Sequence, residues 1–210
     1  MDSFDCAKQR IRKIIARSSV PEDPLHAENT LKWLLMLEPK ADPALQIATL
    51  AHDIDRAVER QKVHRSDFKC FEAFKAAHAR NGAKILRKLL CKCHVADSVA
   101  DETCRLVTLH EIGGDSRSDL LKDADSISFF EVNLPFYFKR EGAEEARRRC
   151  SWGYRRLSVR MKKIAHGITY EDEVLTRLKR EAFFLSFQMV YSNNDTVSYT
   201  HLTLPTTPYV

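Results

Sequence analysis

Apolar residues recur at three- and four-residue spacing along most of the chain, and no stretch sustains the period-two alternation of a half-buried strand. The spacing predicts helices over about Phe4–Arg17, Pro24–Leu37, Ser66–Leu90, Val95–Glu111, Ser116–Glu131, Glu141–His166 and Tyr170–Tyr191. One more starts at Pro43, which suits a first helical turn, and carries "ATLAHDIDRA" (Ala48–Ala57). The breaks are "VPEDP", "EPKADP" and "IGGD", and Ser66 or Asp67 is the expected cap of the long helix. Only six glycines interrupt the chain, and no repeat or low-complexity segment appears. At 210 residues and 44% hydrophobic, the chain has enough apolar surface for one real core. The expected fold is all-α, a compact single-domain bundle over residues 1–196 rather than a coiled coil.

The tail "VSYTHLTLPTTPYV" (Val197–Val210) departs from this pattern: it has no charge, many threonines and no helical period. It resembles the translated end of a transposon adapter used in sequencing libraries. That implies a non-native, disordered segment replacing the native C-terminus, so these residues are set aside from fold reasoning.

Charge changes the picture little. The formal net charge is +5 and the pI about 8.9, which suits a phosphorylated substrate or weak nucleic-acid contact without choosing between them. No run approaches 18 uncharged apolar residues, so no transmembrane helix or membrane partner is expected. The N-terminus "MDSFDCAKQRIRKII" has early acids and no long apolar core, unlike a secretory signal, and a cytoplasmic location is expected. Six cysteines occur without a C-x-x-C pair and are expected to be free thiols in a reducing compartment. "CKCH" (Cys91, Cys93, His94) is a candidate for a soft metal, but no second pair stands at zinc-finger spacing.

The histidines carry the chemistry. His26 shares a face with Thr30, Trp33 and Leu37, and His52 shares one with Leu45 and Ala48. His78 follows Phe71 and Phe74 by seven and four residues, and Gly82 one turn on would let a backbone or ligand come close. His110 follows Leu106 and Val107 by four and three. A single such histidine is usually a satisfied core residue. Four of them on core-facing stripes of four helices, with Asp53 beside His52, fit the inward-facing imidazoles and carboxylates that build metal sites in bundles.

The order His26, His52-Asp53, His78, His110 and then "KDADSIS" resembles the HD-domain superfamily of metal-dependent phosphohydrolases, over about His26 to Glu131. "HARNGAKIL" and "LVTLHEIGG" are similar to the family's helices that carry the intervening histidines. The resemblance implies His26, His52, Asp53 and Asp125 as metal ligands, with Asp125 preferred to Asp123, which is expected to support the site or lie on the surface. It also implies His78 and His110 as ligands of a second ion, with Asp53 bridging. Glu111 stands where one subgroup has a second His and is expected in a supporting role. The Gly-Tyr-Pro signature of the cyclic-dinucleotide subgroup is missing. Asp55 is expected to be a bystander or to support a ligand.

The implied reaction is hydrolysis of a small phosphorylated or nucleotide-like substrate by a hydroxide on one or two divalent ions (Mn, Fe, Co, Ni, Zn or Mg), with Asp53 and His52 at the catalytic centre. Arg56, four residues after His52, and Arg155, Arg156 and Arg160 from the run Arg147–Lys163 are candidates for the phosphate. That run also reads as a solvated helix face over Trp152 and Tyr154. His64, His94 and His166 lie near breaks and receive no role. Two alternatives stand beside the hydrolase. Some HD-domain proteins are di-iron oxygenases with the same set of four His and two Asp. A basic helical module binding nucleic acid through Arg147–Lys163 would leave the histidines unexplained.

Overall fold

The computed structural model describes residues 2–192; the tail Val197–Val210, read above as foreign, lies outside them. Helices form where the apolar spacing places them: α1 Ser3–Ile15, α2 Asp23–Leu37, α3 Pro43–Ala51, α4 Phe71–Lys92, α5 Asp97–Leu109, α6 Ser116–Ser128, α7 Leu134–Arg156, α8 Val159–Gly167 and α9 Glu173–Ser192. No strand occurs among the described residues, so the fold is an all-α bundle. No described helix is long and apolar enough to cross a membrane.

The sequence signals at the helix starts are used. Asp42 accepts a hydrogen bond from Leu45 N at 2.9 Å ahead of Pro43, and Asp115 forms a capping box with Ser118. Helix α3 is the centre of the bundle, packed by α1, α2, α5 and α6. Leu45, Ile47, Ala48, Leu50 and Ala51 are all buried along it. Each of its larger aliphatic side chains contributes roughly 1.5–3 kcal/mol by burial. The last turn of α3 ends in the middle of the protein, and His52-Asp53 come directly after it.

Four boundaries differ from expectation. The long helix starts at Phe71, capped by Cys70, while Arg65–Asp67 forms a separate 3-10 turn. Phe68 is extended, and its ring joins the Phe71–Phe74 cluster at 6.1 Å from Phe74. Helix α6 does not stop at Glu131. It passes through a π-helical segment, Phe129–Asn133, directly into α7. Pro135 in the first turn of α7 brings no N–H, so a widened turn there forfeits little hydrogen bonding. Gly142 (φ 84°, ψ 178°) then kinks α7. The stretch expected as Glu141–His166 divides at Leu157, where Ser158 caps α8 by accepting from Met161 N at 3.3 Å.

Two cysteines depart from the expected free thiols. Packing of α1 on α4 brings the Cα atoms of Cys6 and Cys93 to 5.7 Å, within disulfide reach, and their sulfurs are bonded. Cys93 is therefore unavailable to the "CKCH" metal reading, and Cys91 is exposed. Lys179 is buried on α9, and its ammonium donates to the carbonyls of Ala165 (2.7 Å), His166 (3.2 Å) and Ile168 at the end of α8.

Gly82 is expected to permit a close approach, and α4 does pass the His52 carbonyl there. A methyl group on Gly82 would meet that oxygen at 3.5 Å and Val107 at 3.6 Å, which is ordinary contact. Gly82→Ala is therefore expected to stabilise the protein by about 0.5–1 kcal/mol through helix propensity alone. A lower melting temperature for this variant would show that the packing here is tighter than the contacts imply.

Candidate metal centre

Six predicted ligands meet in one place. His26 comes from α2, His52 and Asp53 from the end of α3, His78 from α4, His110 from the end of α5 and Asp125 from α6. All six are buried. Each histidine has its Nδ1 engaged away from the cluster. His52 Nδ1 donates to the Thr49 carbonyl at 2.8 Å and His110 Nδ1 to the Val107 carbonyl at 2.7 Å. His78 Nδ1 donates to Asp55 at 2.8 Å. Ser128 Oγ donates to the His26 carbonyl and so accepts from His26 Nδ1 at 2.9 Å. The four Nε2 atoms are thereby aimed at a common centre, the arrangement in which partners of the outer nitrogen fix the tautomer of a metal-binding imidazole.

The donors fall into two groups. In the first, His26 Nε2 lies 3.2 Å from His52 Nε2, and Asp125 Oδ1 lies 3.2 Å and 3.4 Å from them. In the second, Asp53 meets His78 and His110, with Asp53 Oδ1 2.8 Å from His78 Nε2. The other oxygen of Asp53 faces the first group, 3.6 Å from His52 Nε2 and 3.9 Å from His26 Nε2. Asp53 thus spans both groups.

These residues fit a cation on two counts. Donors bound at about 2.1 Å in tetrahedral or octahedral geometry stand roughly 3.0–3.4 Å apart along an edge, which is the spacing within the first group. His110 Nε2 is buried without a hydrogen-bond partner among the described residues, although Glu111 Oε1 lies 3.0 Å away. Glu111 is held by Lys75 and Arg156, so His110 Nε2 is the unanswered group, and it is explained if it faces a cation. Glu111, expected only to support the site, belongs with His110 and Asp125 as a third potential donor set.

Charge is dense here. Burial pushes the Asp53 carboxyl upward, but Arg56 and His52 outweigh it and hold it well below the usual range. Arg156 and the two adjacent imidazoles do the same for Asp125, and Lys75 and Arg156 for Glu111. In the ion-free protein, burial pushes the His52 imidazole down, yet Asp53 and Asp125 bring it up to about 9. His78 is raised as well, because Asp53 and Asp55 overcome its burial. Without a cation, protons on imidazoles balance the carboxylates.

This fixes a pH dependence. A His52 pKa of about 9, above the ordinary value near 6.5, gives stability that is complete below about pH 6.5 and lost as pH rises through 9. The ion-free protein is expected to lose up to ~3 kcal/mol over that range from this group. An added divalent ion, which needs the imidazole neutral, should remove the loss. Melting curves at pH 6.5 and 9, with and without a divalent ion, check this. A flat ion-free profile counts against the charge balance described.

The arginines divide. Arg56 donates to Asp53 Oδ2 at 2.5 Å and pairs with Asp23 at 2.9 Å. Arg156 reaches Asp125 Oδ2 at 3.0 Å, the His110 carbonyl at 3.1 Å and Glu111 at 3.2 Å, and its guanidinium lies over Trp152. Arg155 and Arg160 are exposed and do not line the cavity, because α7 ends at Arg156 and the chain turns at Ser158. Asp123 is also outside the donor cluster, and its carboxylate accepts from Ser158 N at 2.9 Å at the start of α8.

Several members escaped sequence reasoning. Lys75, one turn before His78, pairs with Glu111. Asp23, three residues before His26, holds Arg56. Arg149, seven before Arg156, stacks on Phe71 at 4.3 Å. Helical spacing from a proposed ligand or arginine was the available signal in each case. A cavity of about 260 Å³ opens onto the cluster; its lining includes His26, Asp53, His78 and Asp125 together with Arg149, Arg156, Phe71 and Trp152.

No curated protein and no solved structure matches the chain. A family model does match, over residues 3–177, a span from α1 into α9 that includes every donor described above. By that match the chain belongs to the family described as Domain of unknown function (DUF4202).

Proposed function

We propose that the chain is a metal-dependent phosphohydrolase of the HD-domain kind, acting on a small phosphorylated or nucleotide-like substrate. The observation that carries this reading is one cavity lined both by the donors His26, Asp53, His78 and Asp125 and by the cations Arg56, Arg65, Lys75, Arg149 and Arg156. Clustered cations beside a metal centre suit an anionic substrate with several oxygens. His26, His52 and Asp125 would hold one ion and His78 and His110 a second, with Asp53 shared between them. A divalent ion in such a place supplies Lewis acidity toward phosphoryl oxygens and lowers the pKa of bound water.

The rest of the work falls to the chain. Arg56 and Arg156 fix the carboxylates of Asp53 and Asp125 and stand at the cavity wall, so one set of guanidinium groups orders both the donors and the phosphate. Arg156 Nε, Ser126 Oγ and Asn133 Oδ1 are buried without partners among the described residues, and all three residues line the cavity. They are groups a substrate would satisfy. Asp55 keeps His78 in the tautomer that presents Nε2. Phe71, Phe74 and Trp152 give the cavity an apolar part of its lining.

The test is a panel of phosphomonoesters and nucleotides assayed for phosphate release with added Mn, Fe, Co, Ni, Zn or Mg, with oxygen uptake followed in parallel. Metal-dependent phosphate release without oxygen uptake is the expected result. Oxygen uptake on iron with no phosphate release overturns it and assigns the site to the oxygenase alternative.

A further inference from the structure

A groove of about 820 Å³ lies between α1 and α4, on the far side of the 3-10 turn Ile54–Ala57. That turn sends Arg56 to the metal-centre cavity and Ala57 to the groove. Arg10, Lys13 and Arg17 form one wall, Lys88 and Lys92 the other, and Arg60 closes one side. All six are exposed, and Ile85 and Leu89 contribute an apolar floor.

The groove gathers cations from three segments with no acid set against them. Several surface cations elsewhere are set against a carboxylate three or four residues away, as in Lys62–Glu59, Arg105–Glu102, Lys122–Asp119 and Arg149–Glu145. On the outer sides of these same two helices, Arg12 pairs with Glu28 and Arg87 with Asp101. In the groove the helical neighbours are cations, Arg10 and Lys13 on α1 and Lys88 and Lys92 on α4, and Arg17 follows in the turn after α1. Like charges at this spacing repel. None of the six has a carboxylate within ion-pair distance among the described residues, and the one acid in the lining, Glu59, is held by Lys62. Helix dipoles account for Lys13 and Lys92 in their last turns but not for Arg10, Lys88 or Arg60.

The geometry points to a second site at which this protein binds the phosphate backbone of a nucleic-acid duplex. The charges sit on long side chains spread along the last turns of α1, past its end to Arg17, and across to α4. Helix carbonyl ends, not N–H groups, face this region, so a compact phosphate finds no backbone cradle. Spaced cations without a cradle suit a linear polyanion. No aromatic side chain among the described residues lines the groove, so base stacking is not part of the expected recognition and sequence-independent binding is the expectation. This inference stands apart from the metal-centre reading and fails or holds separately.

Fluorescence anisotropy of the full chain with 20-base-pair DNA and RNA duplexes tests it, and the tighter of the two names the source of the backbone. With about six phosphate contacts, affinity should fall ~10³-fold between 50 and 200 mM salt. The triple variant Arg10→Gln, Lys13→Gln, Arg17→Gln should bind more weakly at 50 mM and fall only about 40-fold over the same range. Lys88→Gln with Lys92→Gln should change binding in the same direction by less, with melting temperatures unchanged for both variants. Four results overturn the inference. One is no binding of either duplex at 50 mM salt. Another is equal binding by the groove variants. A third is loss only in Arg155→Gln with Arg160→Gln. The last is tripolyphosphate binding as tightly as the duplexes.

Discussion

Asp53→Asn is expected to abolish stoichiometric metal binding and to lower metal-dependent phosphate release by on the order of 10³-fold or more. Asp53 is the one donor whose two oxygens face both groups, so the substitution takes a ligand from each. The amide keeps the shape of the carboxylate but not its charge. Arg56 then keeps only Asp23 as a close carboxylate partner, and His52 and His78 each lose one of the two carboxylates that raise them, keeping Asp125 and Asp55 respectively. A stability loss of about 3 kcal/mol in the ion-free protein is therefore expected as well, since breaking a buried charge pair costs roughly 3–5 kcal/mol. The two effects separate in the assay. A variant that stays folded at the working temperature and has lost metal supports the bridging role. One that keeps full metal content and activity contradicts it.

Arg156→Met should give the second largest effect, and mainly on stability. Its guanidinium stands between Asp125 and Glu111 and also caps the His110 carbonyl. Removing it leaves two buried carboxylates facing each other, with Lys75 beside Glu111 and the protonated His52 beside Asp125 as the remaining positive charge. The expected cost is about 3–5 kcal/mol in the absence of metal, with ~10²-fold lower phosphate release because Asp125 is no longer held. A divalent ion replaces part of the missing positive charge, so the gap in melting temperature to wild type should narrow when metal is added. Arg156→Lys restores charge without the fork and should fall between the two. An undiminished gap on adding metal would mean that Arg156 acts through packing on Trp152 alone.

Much of this centre is legible in the sequence, and the reasons are particular. Helix α3 announces itself by Asp42-Pro43 and a run that is apolar except for Gln46 and Thr49, so the position of His52-Asp53 at the core follows from its length. His26, His78 and His110 each sit on the apolar stripe of their helix, and a stripe that faces the core also aims its polar members there. Helical period does not choose between Asp123 and Asp125. The resemblance favours Asp125, and the structure brings that residue to the cluster while Asp123 reaches Ser158.

The features hidden from the sequence depend on contacts between distant segments. The pairing of Cys6 with Cys93 requires knowing that α1 lies on α4. Glu111 changes role only because Lys75 and Arg156 converge on it from α4 and α7. Arg160 departs from expectation for a local reason. Ser158 is an N-cap residue ahead of Val159-Arg160-Met161, a signal for a new helix that turns Arg160 outward. The π-helical passage at Phe129–Asn133 has no simple period, and Pro135 is its only clue.

The most direct measurement is a calorimetric titration of ion-free protein with a divalent transition metal, run in two buffers of different ionisation enthalpy. Saturable binding of one or two ions per chain is expected, with protons released as His52 gives up its own, and no such binding by Asp53→Asn. Absence of binding by the wild-type chain, or identical stoichiometry in the variant, would contradict a metal centre bridged by Asp53.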